Sequence, residues 1–131
     1  MAERGLLSRL AAGQGSLVSQ GDIVESVAAH LRVLLNTRRG ESAAAPNFGI
    51  LDFNDVVHMY PSAIPRMQQS IRMAIQEFEP RLKSVVVTHQ PNEDDPTALM
   101  FDISAQLSWR GQRGALRFHT HVHPGGKVDL W

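Results

Sequence analysis

From Ile23 onward, apolar residues return at every third or fourth position: Ile23, Val27, Leu31 and Leu34 form one stripe, widened by Val24 and Leu35. That period predicts an amphipathic helix. Asp22 is placed to cap its free amides, with Glu25 three residues on, as in a capping box. The helix is expected to end over Asn36 to Gly40, where Arg38 and Arg39 suit the negative end of its dipole and Gly40 can take positive φ. A second stripe, Ile64, Met67, Ile71, Ile75 and Phe78, predicts a helix over 63–79. Ser62 is its expected cap, Pro65 fits the first turn, and Pro80 stops it by pushing the preceding residue out of the α region. Between the helices, 41–54 reads as a long surface connection that Phe48, Ile50, Leu51 and Phe53 pin to the body, and 55–60 as a short helical turn closed by Pro61.

Beyond Pro80 the period changes to two. Leu82 to Thr88, with three consecutive valines, reads as a strand, and 91–96 as an acidic turn. Leu99, Phe101, Ile103, Ala105, Leu107 and Trp109 then alternate with Asp102, Ser104, Gln106 and Ser108, the pattern of a half-buried antiparallel strand. Gly111 to Gly114 is expected to turn the chain. Leu116, Phe118, Thr120 and Val122 alternate with Arg117, His119 and His121, and after Pro124, Gly125 and Gly126 a last short strand carries Val128 and Leu130. Helices followed by strands predict an α+β fold, two main helices on one face of a small antiparallel meander of about four strands. The expected domain is 22–131, preceded by a short helix and linker over 1–21 in which Leu6, Leu7 and Leu10 share helical spacing. Those leucines cannot pack onto themselves, so they dock on the domain or on a partner.

The 131 residues suit one domain, and 43% hydrophobic with 20% charged is an ordinary globular composition. The formal net charge is zero, so nothing electrostatic argues for nucleic acid or an anionic membrane. There are no cysteines, which excludes disulfides and thiolate metal sites. Met1 to Leu10 has no continuous apolar run and does not read as a signal peptide, and no segment approaches the ~20 apolar residues of a membrane span. The expectation is a cytoplasmic protein.

Two features invite an enzymatic reading. His119, His121 and His123 alternate, so on a strand they would face one way, neighbours ~6.8 Å apart and the outer pair ~13 Å apart. Zn–N bonds are ~2.0–2.1 Å, so one strand supplies two metal ligands but hardly three. A histidine-metal hydrolase is the alternative function, against a wet sheet face as the plainer reading. Glu77 and Glu79 form a carboxylate pair such as a glycosidase needs, but two residues on a helix turn them ~200° apart, so they cannot flank one bond. No phosphate loop, nucleophile elbow or nucleic-acid motif is present. No catalytic residue, metal or cofactor is therefore expected.

Three segments carry a resemblance: Leu34-Leu35-Asn36-Thr37-Arg38-Arg39-Gly40-Glu41 closing the first helix, Pro46-Asn47-Phe48-Gly49-Ile50-Leu51-Asp52 in the loop, and Phe78-Glu79-Pro80-Arg81-Leu82 joining helix to sheet. In this order and spacing the chain resembles TssE, the type VI secretion member of the phage baseplate wedge family once labelled lysozyme-like. It departs in having Ile50-Leu51 where that pattern has leucine then proline. The resemblance implies a non-enzymatic scaffold on a membrane-docked cytoplasmic baseplate. Its partners would be wedge proteins of the TssF, TssG and TssK type and, by strand exchange, the contractile sheath. It also implies a contact motif at Glu79, Pro80 and Arg81. Arg38 and Arg39, the leucines Leu6, Leu7 and Leu10, and the edge residues Val128 and Leu130 complete the expected contact set. On this reading the bend between helix and sheet holds Glu79 and Arg81 outward as a docking latch, and reversing both charges leaves the domain folded while abolishing partner binding. The edge of the last strand, unpaired, is expected to template the sheath.

Overall fold

A computed structural model of the chain describes residues 20–41, 43–53, 62–95 and 99–131. Helix α1 spans Gln20–Leu35 and α2 spans Ala63–Phe78. Four strands follow, β1 Leu82–Gln90, β2 Leu99–Trp109, β3 Gln112–Val122 and β4 Val128–Leu130, in one antiparallel sheet of order β1-β2-β3-β4. The fold is α+β as the pattern predicts. The leucines Leu6, Leu7 and Leu10 and the expected turn over 55–60 lie outside the described residues.

Both helices lie on one face of the sheet, α2 against β1 and α1 against β4 and α2. The stripes meet there: Val27, Leu31 and Leu34 of α1 and Met67, Ile71 and Ile75 of α2 are all fully buried, facing Phe101, Ile103 and Leu107 of β2. Ile64 and Phe78, the ends of the second stripe, are only partly covered. Ala63, Ser70 and Ala74 complete the buried face of α2.

The caps differ from expectation. Helix α1 begins two residues before Asp22, which sits in its first turn, where a carboxylate still favours the positive end of the dipole. Ser62 precedes α2 but is itself in the α region and makes no side-chain capping bond. The β2–β3 turn is also tighter than 111–114: Trp109 pairs with Gln112, and Arg110 and Gly111 both have positive φ, as two-residue hairpin turns require. Gly114 lies inside β3, opposite Leu107.

In β1 the three valines cannot all face the core in a strict period of two. The strand solves this with a bulge: register shifts between Lys83 and Val86, with Ser84 at φ 54. Taking one extra residue there lets Leu82, Val85 and Val87 all point inward and leaves Val86 outward, 55% exposed.

The loop after α1 is held by backbone. Ile50 N–H donates to the Thr37 carbonyl (2.9 Å) and Arg39 N–H to the Ile50 carbonyl (2.9 Å), a short parallel bridge. Gly49 makes that approach possible. It has φ +118, and a Cβ there would stand 2.9 Å from the Arg38 carbonyl carbon and nearer still to the Thr37 carbonyl. Ile50 and Phe53 are buried, and Phe48 and Leu51 pack against the core. Leu51 donates its N–H to the buried Ser70 hydroxyl (2.9 Å), a bond that proline at 51 would remove.

Candidate functional site

The helix–sheet corner is built from Phe78, Glu79, Pro80 and Arg81. Glu79 leaves the helix with φ −122 and ψ 84 while its N–H still donates to the Ile75 carbonyl. This geometry turns its side chain inward. Glu79 is only 1% exposed. Arg81 Nε donates to Oε1 at 2.7 Å and Nη2 to Oε2 at 2.8 Å, a bidentate pair, and the Arg81 backbone N–H adds a third bond to Oε1. From α1, His30 Nδ1 donates to Oε2 at 2.7 Å. Burial pushes the Glu79 carboxyl up. The bonds from Arg81 and His30, with the attraction of the Arg81 charge, outweigh it and hold the group below its ordinary value. The bond to Glu79 raises Arg81 in turn, against its own partial burial.

The outward latch expected at Glu79 and Arg81 is therefore corrected. The two ions close on each other, and Arg81 Nη1 reaches Ser26 on α1 at 2.9 Å. A carboxylate leaving α2 on its core side can avoid bare desolvation only by collecting every donor nearby. The cluster ties α1, α2 and β1 together. Pro80, by contrast, is exposed. Glu77 is exposed too, on the other side of the helix from Glu79, so the two carboxylates do not face one another.

The C-terminal edge is also corrected. Val128 and Leu130 are buried, at 3% and 6%. Side chains from the last turn of α1 and from the residue after it engage the outer edge of β4. Asn36 accepts from Val128 N–H and donates to the Val128 carbonyl, both at 2.9 Å, so one amide side chain pairs with the edge as a neighbouring strand would. Arg32 Nε donates to the Leu130 carbonyl at 3.2 Å. The alternation identified Val128 and Leu130 as inward-facing. What it could not show was that α1 would arrive alongside them.

Arg38 and Arg39 lie on the surface, Arg38 beside Asp52 at 3.4 Å. The three histidines do not converge on one point. His119 Nδ1 donates to Asp102 Oδ1 at 2.8 Å, and His123 Nε2, past the end of β3, donates to Asp129 Oδ2 at 2.7 Å. His121 stacks against His123, ring centroids 4.0 Å apart. Among the described residues no group of three or more His, Asp or Glu is arranged to hold a metal ion. Asp102, expected on the wet face, is only 8% exposed because Arg117 and His119 cover it. Their bonds, Arg117's foremost, hold its carboxyl below the usual value. Among the described residues no helix is long and apolar enough to cross a membrane.

Sequence comparison covers this whole corner. Residues 22–112 match the model of the family described as baseplate wedge protein gp25. The chain belongs to that family. As a baseplate wedge protein its role is structural, and the match takes in α1, the bridged loop, the Glu79–Arg81 corner and β2. No curated protein matches the chain. Two solved structures share the fold. A chain of the baseplate complex from the type VI secretion system has 18% identity and TM-score 0.62, covering 79% of this chain and 97% of its own. A protein described as a candidate tail lysozyme from Geobacter sulfurreducens has 23% identity and TM-score 0.56, covering 82% and 96%. At these identities the two speak to architecture only.

Proposed function

We propose that this baseplate wedge protein is a non-enzymatic subunit of a type VI secretion baseplate, of the TssE kind, working in the cytoplasm on a membrane-docked assembly. It binds wedge subunits of the TssF, TssG and TssK type and starts the contractile sheath. The observation that carries this reading is the family match over 22–112, which spans the corner and the bridged loop.

The geometry redistributes the contact roles. Glu79 acts from inside, fixing the corner that Pro80 and the partly exposed Arg81 present. Arg38 and Arg39 offer a pair of surface cations at a separate place, after α1. Leu6, Leu7 and Leu10 supply an apolar N-terminal contact to a wedge partner. Strand pairing with the sheath falls to β1, the outer strand on the side away from β4. It is nine residues long, and an exposed Val86 and Lys83 flank its bulge. Val128 and Leu130 support the sheet from within.

The test is co-purification of the full chain with wedge proteins and with sheath protein. Wild-type protein is expected to capture both. Arg38→Glu with Arg39→Glu is expected to reduce wedge capture without changing the melting temperature, and Val86→Pro to reduce sheath capture. Failure of the wild-type chain to capture either class overturns the reading.

A further inference from the structure

On the inner side of the corner the sheet runs further than the helices cover it. The alternation of β2 places Trp109 on the core face, yet it is 39% exposed. With His30, Phe78, Glu79, Pro80 and Arg81 it lines a groove of about 270 Å³. Drug-sized ligands occupy pockets of ~300–1,000 Å³, so this one suits a side chain rather than a small molecule. Its apolar wall is held in place: Phe78 meets Phe48 edge-on at 5.1 Å between ring centroids, and Phe48 in turn contacts His30 at 6.1 Å.

The polar atoms at the rim are unbalanced. Both Glu79 oxygens are occupied, by Arg81 and His30. Arg81 has donated three of its guanidinium N–H bonds, to Glu79 and Ser26. A guanidinium carries five, so two are left to donate among the described residues. Arg110 adds a cation over the Trp109 ring, 5.2 Å from its centroid. The carboxylate acceptors of the corner are spent, while Arg81 keeps donors.

We infer that this groove receives one large apolar side chain from a partner segment that carries a carboxylate beside it, with Trp109 as the apolar wall and Arg81 and Arg110 meeting the carboxylate. The chain's own N-terminal leucines are the wrong occupant by charge: residues 1–12 carry Arg4 and Arg9 against Glu3, like charges facing Arg110. The inference rests on the baseplate reading for who the partner is, and on the groove alone for its chemistry.

Three synthetic probes test it against the full chain, read by the indole N–H resonances of Trp109 and Trp131: acetyl-SELLDS-amide, its neutral counterpart acetyl-SQLLNS-amide, and a peptide of residues 1–12. The acidic probe is expected to shift Trp109 and leave Trp131 in place. The neutral probe should bind up to roughly fivefold more weakly, the span of an exposed ion pair. Arg110→Glu, an exposed substitution, should abolish that preference, and Trp109→Ala, read by titration calorimetry because it removes the reporting indole, should abolish binding. Equal binding of the neutral probe, preference for residues 1–12, or no shift of Trp109 at millimolar probe overturns the inference. Co-purification separates the two readings. If wild-type chain captures wedge proteins and Trp109→Ala captures them equally, the groove assignment fails and the baseplate reading stands. If wild-type captures none, the baseplate reading fails and the titration alone judges the groove.

Discussion

Glu79 carries a charge in a place where charge is costly, and four N–H donors offset that cost. Removing one partner of a buried pair leaves the other uncompensated, typically at ~3–5 kcal/mol. Glu79→Ala is thus expected to destabilise the domain by about 3 kcal/mol, read as a loss in denaturant midpoint. A Glu79→Lys, Arg81→Glu double reversal should unfold the corner, because it places a longer cation where the carboxylate is buried. The pH response follows from the same residue. The folded Glu79 value lies below the ordinary 4.5, so its stabilisation is fully present above that pH and is lost as pH falls through the lowered value. Urea melts between pH 6 and 3 should show stability falling with acid below about pH 4.5, and Glu79→Gln should flatten that slope. Asp102, also lowered, leaves a remainder. Gly49 is decisive for a different reason: Gly49→Ala combines positive φ with a collision against Thr37 and Arg38, and should cost at least ~1–3 kcal/mol in a thermal melt.

The elements themselves were largely legible. Period 3.6 located both helices, and strict alternation from Leu99 located β2 with its stated ends. Local chemistry was less legible. Ser62 looked like a cap and is not one, because a cap needs its own residue out of the α region. The bulge at Ser84 left no composition signal apart from three valines that no single face could hold. Glu79 read as a surface charge because the side chain that recruits it, His30, stands 49 residues away in sequence. Long-range hydrogen bonding of this kind has no period to detect. The same holds for Asn36, 92 residues from Val128. Its two bonds are each worth about 1 kcal/mol, so Asn36→Ala should lose roughly 2 kcal/mol. It should also bare the β4 edge, and concentration-dependent self-association by light scattering is expected where the wild-type stays monodisperse.

For the whole molecule, zero formal charge means little self-repulsion near neutral pH. Isolated chain should be least soluble near its sequence pI of about 7.0 and more soluble on either side of it, checked by the concentration at which scattering begins. The three contact regions proposed above lie in different places: the corner groove, the surface arginines after α1, and the β1 edge. They belong to different elements, so losses at each should be separable in binding experiments.

Asn36 and Arg32 hold β4 at one border of the sheet, and Gln68 of α2 donates to the Val87 carbonyl of β1 at the other (2.6 Å), so each outer strand is tethered by a side chain from the helical layer. A helix that lifts away therefore bares a strand border at the same moment as it bares the core, so the layer that covers the sheet's face also keeps watch over its rims.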